Sequence, residues 1–142
     1  PACGVLEASN MKRFGESGKV SPFVLERMAT VEEYYLPNTL PDDLDRTLAD
    51  PLVFLETSPK PDRPMAPFCA TVGTKDPLLY DTRRLKVALD QMGVPCEAHY
   101  YKGGLHAFHA FVFDPRARAC WQDQFAFLGR YIDDIRTGPM EI

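Results

Sequence analysis

The sequence predicts an α/β fold organised around a parallel β-α-β unit, and three observations carry that expectation. Phe68-Cys69-Ala70-Thr71-Val72-Gly73 is a continuous apolar run of strand length. Leu85, Ala88, Leu89 and Met92 recur at offsets of three, four and seven, the inner face of a helix. Cys96-Glu97-Ala98-His99-Tyr100-Tyr101 then reads as a second strand. A strand apolar on both faces suits a sheet covered by helices on both sides, and strands joined through a helix run parallel.

Ahead of this unit, Ser21-Pro22 supplies an N-cap and a proline for the first helical turn, and Val24, Met28, Val31 and Tyr35 recur at helical spacing. Thr30-Val31-Glu32-Glu33 also fits a capping box that restarts the chain before Pro37, so one bent helix or two short ones fit equally. Seven of the 13 prolines fall between 37 and 67, which predicts a long connection over the surface.

Within the unit, Asp81 is expected to cap the helix carrying Leu85 to Met92, and Gly93 to close it as the C′ residue. Lys102-Gly103-Gly104 predicts a flexible turn that carries His106. Asp114-Pro115 starts the last helix, with Ala117, Trp121, Phe125, Leu128, Ile132 and Ile135 on its inner face and Gly138-Pro139 past its end. The aromatic stripe of Trp121, Phe125 and nearby Phe127 is expected in the core.

The length of 142 residues fits one domain with a proper core, and 45% apolar with 25% charged residues is ordinary globular usage. A net charge of −4 and the lack of a basic, aromatic-interleaved cluster argue against nucleic acid as a partner. No apolar stretch approaches the roughly 18 residues of a membrane span, and no signal-like segment opens the chain. It begins Pro1-Ala2-Cys3-Gly4, so the natural N-terminus is expected to lie upstream or to have been removed. Cys3, Cys69, Cys96 and Cys120 are scattered without zinc-finger or C-x-x-C spacing, which favours reduced thiols, with Cys69 and Cys96 buried in the strands, and a cytoplasmic location.

Chemistry gathers in two segments. Val72-Gly73-Thr74-Lys75-Asp76-Pro77-Leu78 follows the first strand, and Gly103-Gly104-Leu105-His106-Ala107-Phe108 follows the second. In an open parallel sheet, ligands sit beyond the carboxyl ends of the strands, so Asp76 and His106 start from one edge. A carboxylate that fixes one imidazole nitrogen leaves the other to take a proton from a hydroxyl, which is acyl-transfer chemistry. Taken singly, Asp76 reads as a turn residue and His106 as a histidine packed under Phe108; their joint placement favours an acid and a base.

A nucleophile is not evident. Gly15-Glu16-Ser17-Gly18-Lys19 lacks the second glycine of G-x-S-x-G, and it fails as a phosphate loop because Arg13 stands where the first glycine is needed. His109 lies three residues after His106 without a carboxylate or cysteine at ligand spacing, so a packing or surface role is expected and no metal. His99 reads as a half-buried sheet residue.

The stretch Pro67 to Leu78 with Asp81, then Leu89, Gly93-Val94, Tyr101 and Gly104-Leu105-His106-Ala107-Phe108, resembles the C-terminal half of α/β-hydrolase esterases of the hormone-sensitive-lipase type. Tyr34-Tyr35-Leu36-Pro37 and Asp50-Pro51-Leu52 look like the segment this family places between its sixth and seventh strands, so the likeness covers roughly residues 20 to 135. The resemblance implies the C-terminal portion of an α/β-hydrolase fold spanning 1–142, with cap-like helices at about 20–40 and a β-α-β-α unit at 67–136. It implies that Asp76 is the triad acid and His106 the base of a serine esterase acting on small-molecule carboxylic esters, commonly short-chain ones, with no cofactor.

The serine elbow and the His-Gly-Gly oxyanion loop are then expected upstream, in a missing N-terminal half that is the natural partner of this piece; alone the piece is expected to be inert. A sheet lacking its first strands exposes an edge, which makes a homo-oligomer another expectation. Two alternatives stay open: a non-catalytic binding or assembly module with a hydrolase half-fold, and a peptidase or thioesterase on the same fold.

Overall fold

A computed structural model describes residues 4–16, 20–36, 49–58, 60 and 62–137. In chain order its elements are α1 (Arg13–Glu16), α2 (Pro22–Tyr35), α3 (Pro51–Thr57), β1 (Phe68–Gly73), α4 (Leu79–Met92), β2 (Cys96–Tyr101), a 3-10 turn at Phe108–Ala110 and α5 (Pro115–Thr137). Ser17, Cys3, Pro37 and Gly138-Pro139 lie outside the described residues, as does the side chain of Ile135.

β1 and β2 pair in parallel, Phe68 opposite Cys96 through to Gly73 opposite Tyr101. Both strands span the residues predicted for them. Ala70, Thr71 and Val72 of β1 are buried, as a strand covered on both faces requires. On one side Leu85, Ala88 and Leu89 of α4 are buried as predicted, and Leu85 and Leu89 join Ala70, Leu52 and Val94 in the main apolar cluster. Each such leucine contributes about 1.5–3 kcal/mol by leaving water. Gly93 adopts φ 73°, ψ 22°, a left-handed closure of α4 that glycine takes without a Cβ clash. A second cluster of Met11, Phe14 and Leu78 sits under α2, with Val20, Leu25 and Met28 against it.

Several expectations are corrected. Asp81 does not cap α4: the helix starts at Leu79, and Asp81 lies buried in its first turn. No side chain caps α4; Asp76 makes an Asx turn just ahead of it, its Oδ1 accepting the Leu78 N–H at 2.8 Å. Of the two forms left open between 21 and 36, the structure has the single helix: Thr30 Oγ1 donates to the Glu26 carbonyl at 2.9 Å within α2 and starts no new turn. None of α2 is buried, and Tyr35 is exposed.

The proline-rich stretch holds a helix that its prolines obscured. Pro51 takes an N-terminal position of α3, where its missing N–H costs nothing, and Leu52 is fully buried. In α5 the predicted inner face holds only in part: Ala117 and Phe127, both expected inside, are buried with Cys120, whereas Trp121, Phe125, Leu128 and Ile132 are exposed. The stripe is a true helical repeat, but small Ala117 and Cys120 let α5 approach the sheet closely, and the bulkier face stays out. Of the thiols, Cys120 is buried, whereas Cys69 and Cys96 are half-buried, with burial raising both their pKa values.

Candidate active site

Asp76 and His106 occupy the loops that leave the carboxyl ends of β1 and β2, and the parallel register brings those loops together. Backbone contacts join them. The Lys75 N–H donates to the Gly104 carbonyl at 2.9 Å, the Thr74 N–H to the Tyr101 carbonyl at 3.0 Å, and the Gly103 N–H to Thr74 Oγ1 at 2.8 Å. These bonds tie the Gly103-Gly104 turn to the loop after β1.

The two side chains meet. With its proton on Nδ1, His106 donates to Asp76 Oδ2 at 3.2 Å and Oδ1 at 3.3 Å, long distances for a charge-assisted bond. The Asp76 side chain is wholly buried, while that of His106 is 58% exposed. Among the described residues nothing hydrogen-bonds Nε2, so that nitrogen is free to take a proton. Ala107, next in the chain, sits at φ 56°, ψ 24°, the sole non-glycine with positive φ among the described residues. Phe108 is buried against Tyr101, their rings 5.0 Å apart, and anchors the loop from below.

His106 opens onto an apolar cavity of about 530 Å³. Val24, Met28 and Val31 of α2 form one wall, Val5, Met11 and Val20 another, and Pro77 and Leu78 the side next to Asp76. Ser21 also reaches it, but its Oγ caps α2 by accepting the Val24 N–H at 3.4 Å. The segment before α1, featureless in sequence, is fixed here by charge. Arg13 pairs with the fully buried Asp81 at 2.6 Å, and Asp50 Oδ1 accepts the N–H groups of Ala8 and Ser9 at 2.6 and 2.9 Å. Arg84 bonds Glu7 and Glu56, and the Glu56 contact pushes the guanidinium pKa up.

Sequence reasoning missed Arg13, Asp50 and Asp81 as organisers of the cavity, since ion pairs across 68 residues leave no local periodicity. The single signal was Asp81 itself, an acid on the inward face of an apolar helix. His109 packs edge-on to Phe108 and Trp121, in keeping with the expected packing role. His99 is half-buried in β2, its Nδ1 3.6 Å from Asp123.

Among the described residues no helix is long and apolar enough to cross a membrane. No curated protein matches the chain. A family model described as alpha/beta hydrolase fold matches residues 2–110, from ahead of the cavity wall to just past His106. That match covers well over half of the 142 residues, and with the parallel strand pair flanked by helices it makes the chain a member of the alpha/beta hydrolase fold family.

Proposed function

We propose that the chain is the C-terminal part of a serine carboxylesterase or lipase of the hormone-sensitive-lipase type, with Asp76 as the triad acid and His106 as the general base. The observation that carries this reading is the 3.2 Å approach of His106 Nδ1 to a buried Asp76, with the rest of the ring open to an apolar cavity. Asp76 holds the ring in one tautomer and stabilises the imidazolium; Nε2 takes the serine proton as the hydroxyl attacks an ester carbonyl and returns it to the leaving alcohol. In this fold the triad runs Ser, Asp, His along the chain, and Asp76 precedes His106, so the serine belongs N-terminal to Asp76. No G-x-S-x-G occurs among residues 1–142, and in this reading the serine and the oxyanion loop lie in an upstream half.

In this reading α2 belongs to a cap at about 20–40 over the acyl pocket, the unit at 67–136 delivers acid and base, and the substrate is a small ester with an apolar acyl group. Partly exposed free thiols suit the cytoplasm, and the exposed face of α5 suits association with the upstream half or with a second copy. The test is replacement of Asp76 or His106 by Ala in the protein that carries the serine, with hydrolysis of a short-chain aryl ester as the readout. Turnover is expected to fall several thousand-fold, on the scale of the roughly 10⁴-fold effect of disabling a triad acid. Unchanged turnover sinks the assignment.

A second reading, a non-catalytic binding or assembly module, is favoured by one observation: no hydroxyl bonds His106 among the described residues. A reading frame that continues upstream of Pro1 and contains G-x-S-x-G excludes it. A peptidase or thioesterase of the same fold is separated from an esterase by comparing amide, thioester and ester substrates on that protein.

A further inference from the structure

A second cavity, of about 520 Å³, shares Pro77 with the apolar one but differs in chemistry. Thr74, Lys75, Tyr80 and Arg83 line it, beside Asp76 and Leu105. Its available polar groups are donors. The Lys75 ammonium and the Tyr80 hydroxyl have no hydrogen-bond or ion-pair partner among the described residues. Arg83 does no more than lie over the Tyr100 ring, at 6.0 Å. Thr74 Oγ1 accepts the Gly103 N–H, which leaves its own proton to donate.

The nearby carboxylates are engaged elsewhere. Asp76 holds the Leu78 N–H and His106 with its side chain buried, Asp81 is bound to Arg13, and Glu7 and Glu56 are bound to Arg84. The charged groups lining the cavity are Lys75, Arg83 and Asp76, one more cation than anion, and the N-terminal turn of α4, 14 residues long, adds its positive end. A planar guanidinium, a point-charge ammonium and two hydroxyls match the tetrahedral or planar oxygens of an anion better than any neutral group.

We propose that this cavity binds a compact oxyanion, a phosphate monoester or carboxylate, through Lys75 and Arg83. That anion is either a group carried on the substrate's leaving alcohol, seated beside the acid and base while the acyl part fills the apolar cavity, or a free effector. The two sources share one chemistry, and they separate by experiment.

The test uses the protein that carries the serine, labelled with ¹⁵N and titrated with inorganic phosphate and, separately, with glycerol 3-phosphate. Saturable shifts are expected at Lys75, Tyr80 and Arg83. Arg83→Gln and Lys75→Gln should each weaken binding by about tenfold or more, the scale of one hydrogen bond to a charged group, while Arg118→Gln on exposed α5 surface leaves it unchanged. Tighter binding of glycerol 3-phosphate with movement of the His106 signals assigns the site to the substrate. Equal or tighter binding of inorganic phosphate with His106 unmoved assigns it to an effector. Shifts spread without saturation over all surface cations, or affinity unchanged in both variants, overturn the proposal. The wild-type titration decides even where a variant fails to fold, and because it reads binding alone, its failure is separate from that of the acid and base assignment.

Discussion

Gly73 and Gly104 meet backbone to backbone at the point where the two chemical loops leave the sheet. A Cβ on Gly73 would lie 2.2 Å from the Gly104 carbonyl oxygen, far inside contact distance, and that oxygen accepts the Lys75 N–H. The closeness of Asp76 and His106 depends on this approach. Gly73→Ala is expected to push the Gly104 turn away, break the Lys75 bond and cost about 1–3 kcal/mol, the range for overpacking a tight contact. Urea unfolding measures the cost, and a nuclear Overhauser contact between the His106 ring and the Asp76 region should weaken or vanish. A variant with wild-type stability and an intact contact contradicts the clamp.

Asp81 and Arg13 form an ion pair whose side chains are 0% and 11% exposed. Removing one partner strands the other in a poorly solvated site. Asp81→Ala is expected to destabilise by about 3–5 kcal/mol, the range for breaking a buried pair from one side. Because Arg13 precedes Phe14 and follows Met11 in the cluster under α2, loosening it should also open the apolar cavity. A double-mutant cycle with Arg13→Met reads the coupling: the double variant should recover most of the loss. Strict additivity of the two changes would show that the residues act independently.

The fold was legible where local pattern and tertiary need agree. β1 carries a continuous apolar run that suits a strand covered on both faces, β2 follows it at strand length, and α4 shows its inner face as Leu85, Ala88 and Leu89. Strand-end placement, the order of acid before base and the family resemblance together pointed to Asp76 and His106, and the structure brings the two side chains within 3.2 Å. Pattern misled over part of α5, where Trp121, Phe125, Leu128 and Ile132 are exposed although Ala117 of the same helical stripe is buried beside Cys120. Periodicity reports that a face is apolar without naming what it meets. The cavity walls at Val5 and Met11 were illegible for another reason: they are held by Arg13, Asp50 and Asp81, partners far apart in sequence.

Ala107 pays a steric cost in the left-handed region beside His106, at φ 56°. Glycine relieves it, at the expense of a more flexible unfolded chain. Ala107→Gly is expected to raise stability by up to about 1 kcal/mol, the net of those two effects. In the protein that carries the serine, the same change should lower kcat more than it alters KM, because the strained residue holds the ring that receives the proton. A loss of stability would mean that the left-handed conformation is not strained in solution.

Tyr101 ties β2 to α5: its hydroxyl donates to Asp123 Oδ2 at 2.5 Å. Burial first, and then that hydrogen bond, hold its pKa well above the ordinary 10.0. The folded state therefore keeps the proton where the unfolded chain would lose it. Linkage gives the sign: the contribution is fully present below pH 10, the unfolded value, and disappears as pH rises through the higher folded one. Thermal unfolding followed by circular dichroism between neutral pH and pH 11 or so should show stability falling from about pH 10 upward. Tyr101→Phe should be less stable at neutral pH, having lost the bond to Asp123, and should decline less over that alkaline range. An equally steep alkaline fall in Tyr101→Phe would assign the titration to another group.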